Sequence, residues 1–250
     1  MRIALFIVTL VLSATAAAQQ RAPLSPLGEK IQAAMQSDLR SAADTARDRN
    51  RKPIQTLEFL GFEDDMTVIE FFPGGGWYTK ILGPVLRDKG QLYLAIGASR
   101  VDLSHESMNK VEVLEVDAEL SPSDVGGIFN ISEFSFPVND ADMLLTFRNL
   151  HNLTAEARAR VNKAAYAALK PGGIYGVVDH TRRHMETLNS ENRRRADPVL
   201  MIKEIQAAGF EFVDFSDLHF RADDELRYEV GRRTVTGNTD RFTFKFVKPE

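Results

Sequence analysis

Val68-Ile69-Glu70-Phe71-Phe72-Pro73-Gly74-Gly75-Gly76-Trp77-Tyr78-Thr79 is an apolar run of strand length, three consecutive glycines, and the opening of an amphipathic helix. Glycine lets backbone approach a ligand closely, and the free amides of a helix N-terminus favour negative or electron-rich groups, so a strand, turn and helix of this kind form a cradle. A dinucleotide-binding turn would read Gly-x-Gly-x-x-Gly, and here Gly74 and Gly76 are followed by Thr79 where the third glycine would stand. Outward from this stretch the same alternation repeats. Apolar runs at 91–96, 111–116, 143–147 and 174–178 are interleaved with amphipathic segments at 77–86, 155–169 and 198–208. Strands alternating with helices predict βαβ units and a parallel sheet covered on both faces. The end of the chain changes period. Residues 210–215 and 242–247 both alternate with period two and have no helical pattern between them, which predicts an antiparallel pair joined by the polar excursion 216–240.

The chain has 250 residues, 44% of them hydrophobic and 26% charged, with no cysteine and a formal net charge of −4. That is the profile of a globular α/β protein with one sizeable core, and its charge gives no global attraction to nucleic acid or anionic membranes. A small molecule is therefore the expected partner, and the pattern carries no signal for oligomeric assembly. Arg2, the short apolar run Ile3 to Leu12, and Ala16-Ala17-Ala18 before Gln19 read as a secretory signal peptide over residues 1–18. No later stretch is apolar for long enough to span a bilayer, so the expected location is the periplasm or beyond, without a stable membrane anchor. Residues 19–60 read as an N-terminal helical arm, with Leu27, Ile31, Ala34, Met35 and Leu39 at helical spacing, and residues 61–250 as the main domain.

The stretch Glu70-x-Phe72-Pro73-Gly74-Gly75-Gly76-Trp77-Tyr78-Thr79 resembles the first motif of class I S-adenosylmethionine-dependent methyltransferases. Further segments are similar to a branch of bacterial methyltransferase-like proteins that carry secretion signals: Arg47-Asp48 to Lys52-Pro53, Phe147 to Asn152, Leu169 to Gly173, Asp179-His180, Ala208 to Phe210, and Thr239 to Phe242. The resemblance implies a Rossmann-like sandwich whose seven-stranded, mostly parallel sheet ends in an antiparallel strand. It implies S-adenosylmethionine as cofactor, with Glu70 at the end of the first strand, Gly74, Gly75 and Gly76 under its methionine and ribose, Trp77 walling the pocket, and Asp117 facing the adenine amino group. Two positions depart from the family pattern. Phe72 stands where the first glycine is usual, and the strand 91–96 runs into Gly97-Ala98-Ser99-Arg100 where an acidic residue normally holds the ribose hydroxyls. Two readings stay open: an exported methyltransferase, and a binding or accessory protein that keeps the fold without the cofactor.

Ligand sites in open α/β sheets gather beyond the carboxyl ends of the strands. Arg148, Asn149 and His151 follow the strand 143–147, and Asp179, His180 and Arg182 follow the strand 174–178, so both groups are expected at one crevice. His151 and His180 are candidate proton acceptors, with Asp179 orienting an imidazole. Arg148, Asn149 and Arg182 are candidate substrate contacts, arginine because it clamps carboxylate or phosphate. His151, His180, His184 and Asp179 could also supply metal ligands, though no catalytic Glu follows His180, and no metal is the favoured reading. Arg193-Arg194-Arg195 reads as a solvated basic patch before a helix cap, with an anionic-substrate contact as the alternative. His105 and His219 lie in polar stretches and are given no role.

Overall fold

The computed structural model describes residues 23–250; the signal-peptide reading of residues 1–18 lies outside them. The chain enters through four helices, α1 (Pro26–Met35), α2 (Ala42–Thr45), α3 (Asp48–Arg51) and α4 (Pro53–Leu60). Local chemistry sets their ends. Ser25 caps α1 by accepting from the Gly28 amide, Pro26 and Pro53 supply preset first turns, and Gly61 closes α4 in the left-handed region at φ 80°. The alternating pattern then appears as β1 (Thr67–Phe71), α5 (Thr79–Leu86), β2 (Gln91–Ala95) and β3 (Val111–Leu114). A two-stranded hairpin, β4 (Leu120–Pro122) with β5 (Phe129–Ile131), stands apart from the main sheet. It is followed by β6 (Ala141–Phe147), α6 (Ala155–Ala168), β7 (Leu169–His180), α7 (Pro198–Ala207), β8 (Glu211–Ser216) and β9 (Arg241–Val247).

The main sheet runs β3-β2-β1-β6-β7-β9-β8. Every pairing from β3 to β7 is parallel, while β9 lies antiparallel to both β7 and β8. The period-two segments are thus neighbours in the sheet, as expected, with the antiparallel β9 inserted between β7 and the edge strand β8. Because successive side chains of a strand point to opposite faces, Val68, Met143, Leu145 and Val178 pack with α1, α4 and α5, whereas Ile69, Leu144 and Val177 pack with α6 and α7. Ile31, Ala34, Ile54 and Leu57 of the arm share the first of these layers with Ile81 and Leu82 of α5, so the arm is continuous with the domain core. Strand order reverses between β1 and β6, and a crevice at the carboxyl ends follows from that topology.

The excursion 216–240 folds back onto the sheet end. Its anchor is Asp224, which accepts from both Nη atoms of Arg195 at 2.9 and 3.0 Å with both side chains fully buried. Arg195 is therefore part of a buried clamp and not of a solvated basic patch. Arg193 donates to the Gly126 carbonyl at 2.6 Å, and Arg194 pairs with Glu229 at 2.9 Å.

Candidate active site

Three neighbouring strands of the sheet each end on a non-glycine residue in the left-handed region: Phe72 after β1 (φ 53°), Ile96 after β2 (φ 57°) and Arg148 after β6 (φ 66°). Such residues persist only where the surroundings hold them, and they concentrate at ligand sites. Phe72 thus keeps the backbone form that a glycine would have adopted without strain, while adding a ring. That ring packs on Phe71 with centroids 4.3 Å apart and covers Gly97, where an added Cβ would meet it at 3.1 Å. One side chain holds the turn from across the switch point. Asn149 Nδ2 donates to the carbonyls of Phe71 and Phe72 at 3.1 and 3.2 Å and lies 3.1 Å from Thr146 Oγ1. Its amide donors are committed to the backbone, so Asn149 positions the turn, while the residue also borders a cavity on either side of Phe72.

Beyond Phe72, Gly74 and Gly76 turn at φ 63° and 74°, and nothing stands within 4 Å of where a Cβ on Gly75 would lie. A cavity of about 250 Å³ opens there, with Glu70, Gly74, Gly75, Trp77 and Arg148 among its walls. A second cavity of about 230 Å³ lies on the other side of Phe72, walled by Gly97, Leu120, Phe129 and Leu153. Phe72, Gly74, Arg100 and Asn149 border both cavities. The hairpin β4–β5 supplies Leu120 and Phe129; its strands have three residues each, too short for a periodic signal in the sequence. Asp117 is elsewhere. It lines a shallow depression with Glu133, Phe134 and Lys163, outside both cavities, because the chain leaves the sheet at Leu114 and turns away before reaching it. The expectation that Asp117 faces an adenine is corrected accordingly.

Glu70 is buried at the end of β1 and accepts from Thr79 Oγ1 at 2.6 Å, tying the strand to the first turn of α5. Burial pushes its carboxyl up to about 7, against the Thr79 hydrogen bond and the Arg51 charge, which act the other way. Trp77 is buried as well. Its indole donates to the Asp44 carbonyl at 3.0 Å, and the Arg51 guanidinium lies 4.2 Å from its ring centre. Tyr78 stacks on Phe147 with centroids 3.5 Å apart, seating α5 on β6.

Along the same edge, β6 and β7 bring the histidines together. The His151 and His180 rings lie 5.4 Å apart, but His151 and Arg182 border one cavity and His180 and Arg148 another, so the expected residues do not line a single crevice. Asp179, fully buried, accepts from His151 Nδ1 at 2.5 Å, from the His151 amide at 3.0 Å and from the His180 amide at 2.7 Å. A carboxylate on Nδ1 leaves the lone pair on Nε2, and that atom is buried with no hydrogen-bond partner among the described residues. His151 borders a cavity of about 250 Å³ together with Arg182, whose Nε is likewise buried and unpartnered. His180 Nδ1 lies 2.9 Å from Thr239 Oγ1. Burial first, then the neighbouring His151 and Arg241, holds His180 well below 6.5, so it is a neutral imidazole at physiological pH.

The metal alternative does not assemble. His184 turns away to Asp197, 3.0 Å distant, and among the described residues no group of three or more His, Asp or Glu is placed to hold an ion. His219, given no role from sequence, is a buried fastener: Nδ1 lies 2.7 Å from Thr243 Oγ1, and Nε2 lies 3.0 Å from the Arg51 carbonyl. No helix among the described residues is long and apolar enough to cross a membrane.

No family model and no curated protein matches the sequence. Solved structures do. An S-adenosylmethionine-dependent methyltransferase from Aquifex aeolicus matches with a TM-score of 0.53 at 16% identity, over 88% of this chain and 98% of that one. The cyclase SpnF matches at 0.52 and 18% identity, over 86% of each chain. Human N-acetylserotonin methyltransferase, solved in complex with S-adenosylmethionine, matches at 0.52 and 15% identity, over 90% of this chain and 57% of that one. The sheet order, the antiparallel β9 and these matches agree on one conclusion: the chain has the class I methyltransferase fold.

Proposed function

We propose that this protein is an S-adenosylmethionine-dependent methyltransferase acting on a small molecule. The observation that carries the reading is the bare turn after β1, where Gly74 and Gly76 adopt left-handed backbone and the space above Gly75 is open. A Cβ there would fill the cradle, so the turn fits a ligand that lies directly on backbone. Glu70, Gly74 to Gly76 and Trp77 would hold the methionine end of the cofactor, and Phe72, Gly97 and Arg100 its nucleoside end. Arg100 replaces the usual carboxylate, and a guanidinium can serve because ribose hydroxyls accept hydrogen bonds as well as donate them. When bound, the cofactor supplies an electrophilic methyl group on a sulfonium.

The chain's own residues would orient the acceptor and manage its proton. His151 is placed for this: Asp179 fixes the ring through Nδ1 and leaves an Nε2 without a partner among the described residues, a lone pair that can take a proton. His180 is the second candidate, neutral and 5.4 Å from His151. Arg182, which borders the His151 cavity, and Arg148, which borders the His180 cavity, would be the acceptor contacts. The leader over residues 1–18 and the resemblance to secretion-signal proteins support export to the periplasm or beyond, and N-terminal sequencing of native protein should then read Gln19 first.

A second reading, a binding protein without methyl transfer, is favoured by Phe72, whose ring covers Gly97, and by Arg100, whose guanidinium reaches the turn where the family presents an acid. Calorimetric titration with S-adenosylhomocysteine separates the two. The methyltransferase reading expects binding by wild type and none by Gly74→Val; absence of binding by wild type at millimolar ligand leaves the second reading.

A further inference from the structure

Behind the cofactor cavity, and sharing Arg47, Arg51 and Arg148 with it, lies a larger cavity of about 410 Å³. Arg47, Arg51, Arg148, Arg194, Arg241 and His180 all face it, and no acidic side chain lines it. These arginines come from α3 and the residue before it, from the exit of β6, from the loop between β7 and α7, and from the start of β9, so they converge from several directions on one volume. The convergence is built into the fold. Arg241 stands opposite His180 in the β7–β9 register and donates to the Asn50 carbonyl at 3.0 Å, while His219 fastens the Arg51 carbonyl to β9 through Thr243.

Five cations in one cavity need counter-charge, and the protein supplies little. Only Arg194 is in an ion pair, with Glu229. Arg47, Arg51, Arg148 and Arg241 form none among the described residues. Arg51 and Arg241 are 5% and 6% exposed, and Arg51 Nη2 and Arg241 Nε are buried without any hydrogen-bond partner. A buried guanidinium left in that state is costly unless an anion completes it. Burial first, then neighbouring guanidinium charge, that of Arg148 on Arg51 and Arg241 and that of Arg47 on all three, holds Arg51, Arg148 and Arg241 below the ordinary arginine range, a repulsion that an anion in the cavity would relieve.

We infer that this cavity binds a phosphate monoester carried by a small soluble molecule. A planar carboxylate is satisfied by one bidentate arginine, whereas a tetrahedral dianion offers three acceptor oxygens to donors arriving from different sides, which matches the placement of Arg47, Arg51, Arg148 and Arg241. Because the cavity shares a wall with the one above the glycine turn, the phosphate-bearing molecule is the methyl acceptor; this role rests on the methyltransferase reading, while the anion site itself does not. The phosphate would also offset the arginine charge that otherwise faces a sulfonium across the shared wall.

The test is calorimetry and thermal shift on the whole chain without cofactor, at constant ionic strength, with inorganic phosphate and glycerol 3-phosphate as probes and chloride, succinate and phosphatidic acid vesicles as comparisons. Both phosphates should bind and stabilise the protein. Arg47→Ala, an exposed position that should fold normally, and Arg51→Met, which keeps the apolar stem on Trp77, should each weaken binding by about tenfold or more. Absence of phosphate binding at 10 mM, unchanged affinity in both variants, equal binding of succinate, or vesicle binding with no effect of glycerol 3-phosphate would each overturn the proposal. A parallel titration with S-adenosylhomocysteine keeps the two claims apart: phosphate binding without cofactor binding leaves the anion site standing and removes the methyltransferase reading, and the reverse result removes only the anion site.

Discussion

Replacing Glu70 by glutamine should make the protein more stable at pH 8 and leave it nearly unchanged at pH 4.5. Glu70 is 3% exposed, and burial moves its carboxyl from 4.5 to about 7 in the fold. The folded state therefore holds the proton up to about pH 7, while the unfolded chain releases it near 4.5. Stability from this group is complete below 4.5 and is lost as pH rises through 7. A displacement of that size corresponds to about 3 kcal/mol. The glutamine amide has no proton to lose and keeps an oxygen for Thr79 Oγ1, so the variant escapes the penalty. The difference between Glu70→Gln and wild type should grow from near zero at pH 4.5 to about 3 kcal/mol at pH 8, a rise in melting temperature of about 6–12 °C for a protein of this size. Urea unfolding of both proteins across this range reads the difference directly, because every other titrating group cancels. A difference that stays flat with pH would mean that Glu70 is ionised in the fold and that Arg51 compensates it, and the burial argument would fail.

Nitrogen-labelled imidazole spectra should show His151 protonated at Nδ1 in wild type, and Asp179→Asn should abolish that preference; an Nε2–H tautomer in wild type would remove His151 as the proton acceptor. Arg195→Ala should destabilise the fold by about 3–5 kcal/mol in denaturant titrations, because it strands the buried Asp224 carboxylate; a loss below about 1 kcal/mol would place the pair in the exposed class. His219, which burial lowers from 6.5 to about 4, should withdraw stability as pH falls from 6.5 towards 4, since the unfolded chain takes up the proton first. His219→Gln should lack that fall, and an identical acid profile in both proteins would contradict the role assigned to it.

The fold was legible because its signals are local. The glycine turn after Val68 to Phe71, the strand–helix alternation and the period-two ends at 210–215 and 242–247 each lie within a dozen residues, and together they determine a doubly wound sheet with an antiparallel closure. The candidate base was legible in part: Asp179 and His180 are adjacent in sequence, but Asp179 orients His151, 28 residues away, and that pairing exists only because β6 and β7 are neighbours. The rest depends on convergence that no window of sequence contains. Arg195 meets Asp224 across 29 residues, and Asn50 meets Arg241 across 191. Of the four cavity arginines that form no ion pair among the described residues, Arg148 alone is a candidate contact from sequence; Arg47, Arg51 and Arg241 stand at the ends of helices and strands, where no local pattern marks them as converging. Asp117 failed for the opposite reason: its position after an apolar run suggested a strand end, and the strand stops at Leu114.

All of the proposed chemistry depends on the turn at Gly74 to Gly76 being a working S-adenosylmethionine site. Calorimetric titration of the protein with S-adenosylmethionine at pH 7.5, paired with its melting temperature, addresses that dependence without any knowledge of the acceptor. Binding should be saturable, with stabilisation of about 2.7 kcal/mol at 100 times the dissociation constant, and both should be lost in Gly74→Val. No heat and no stabilisation of the wild type at millimolar ligand would contradict the assignment.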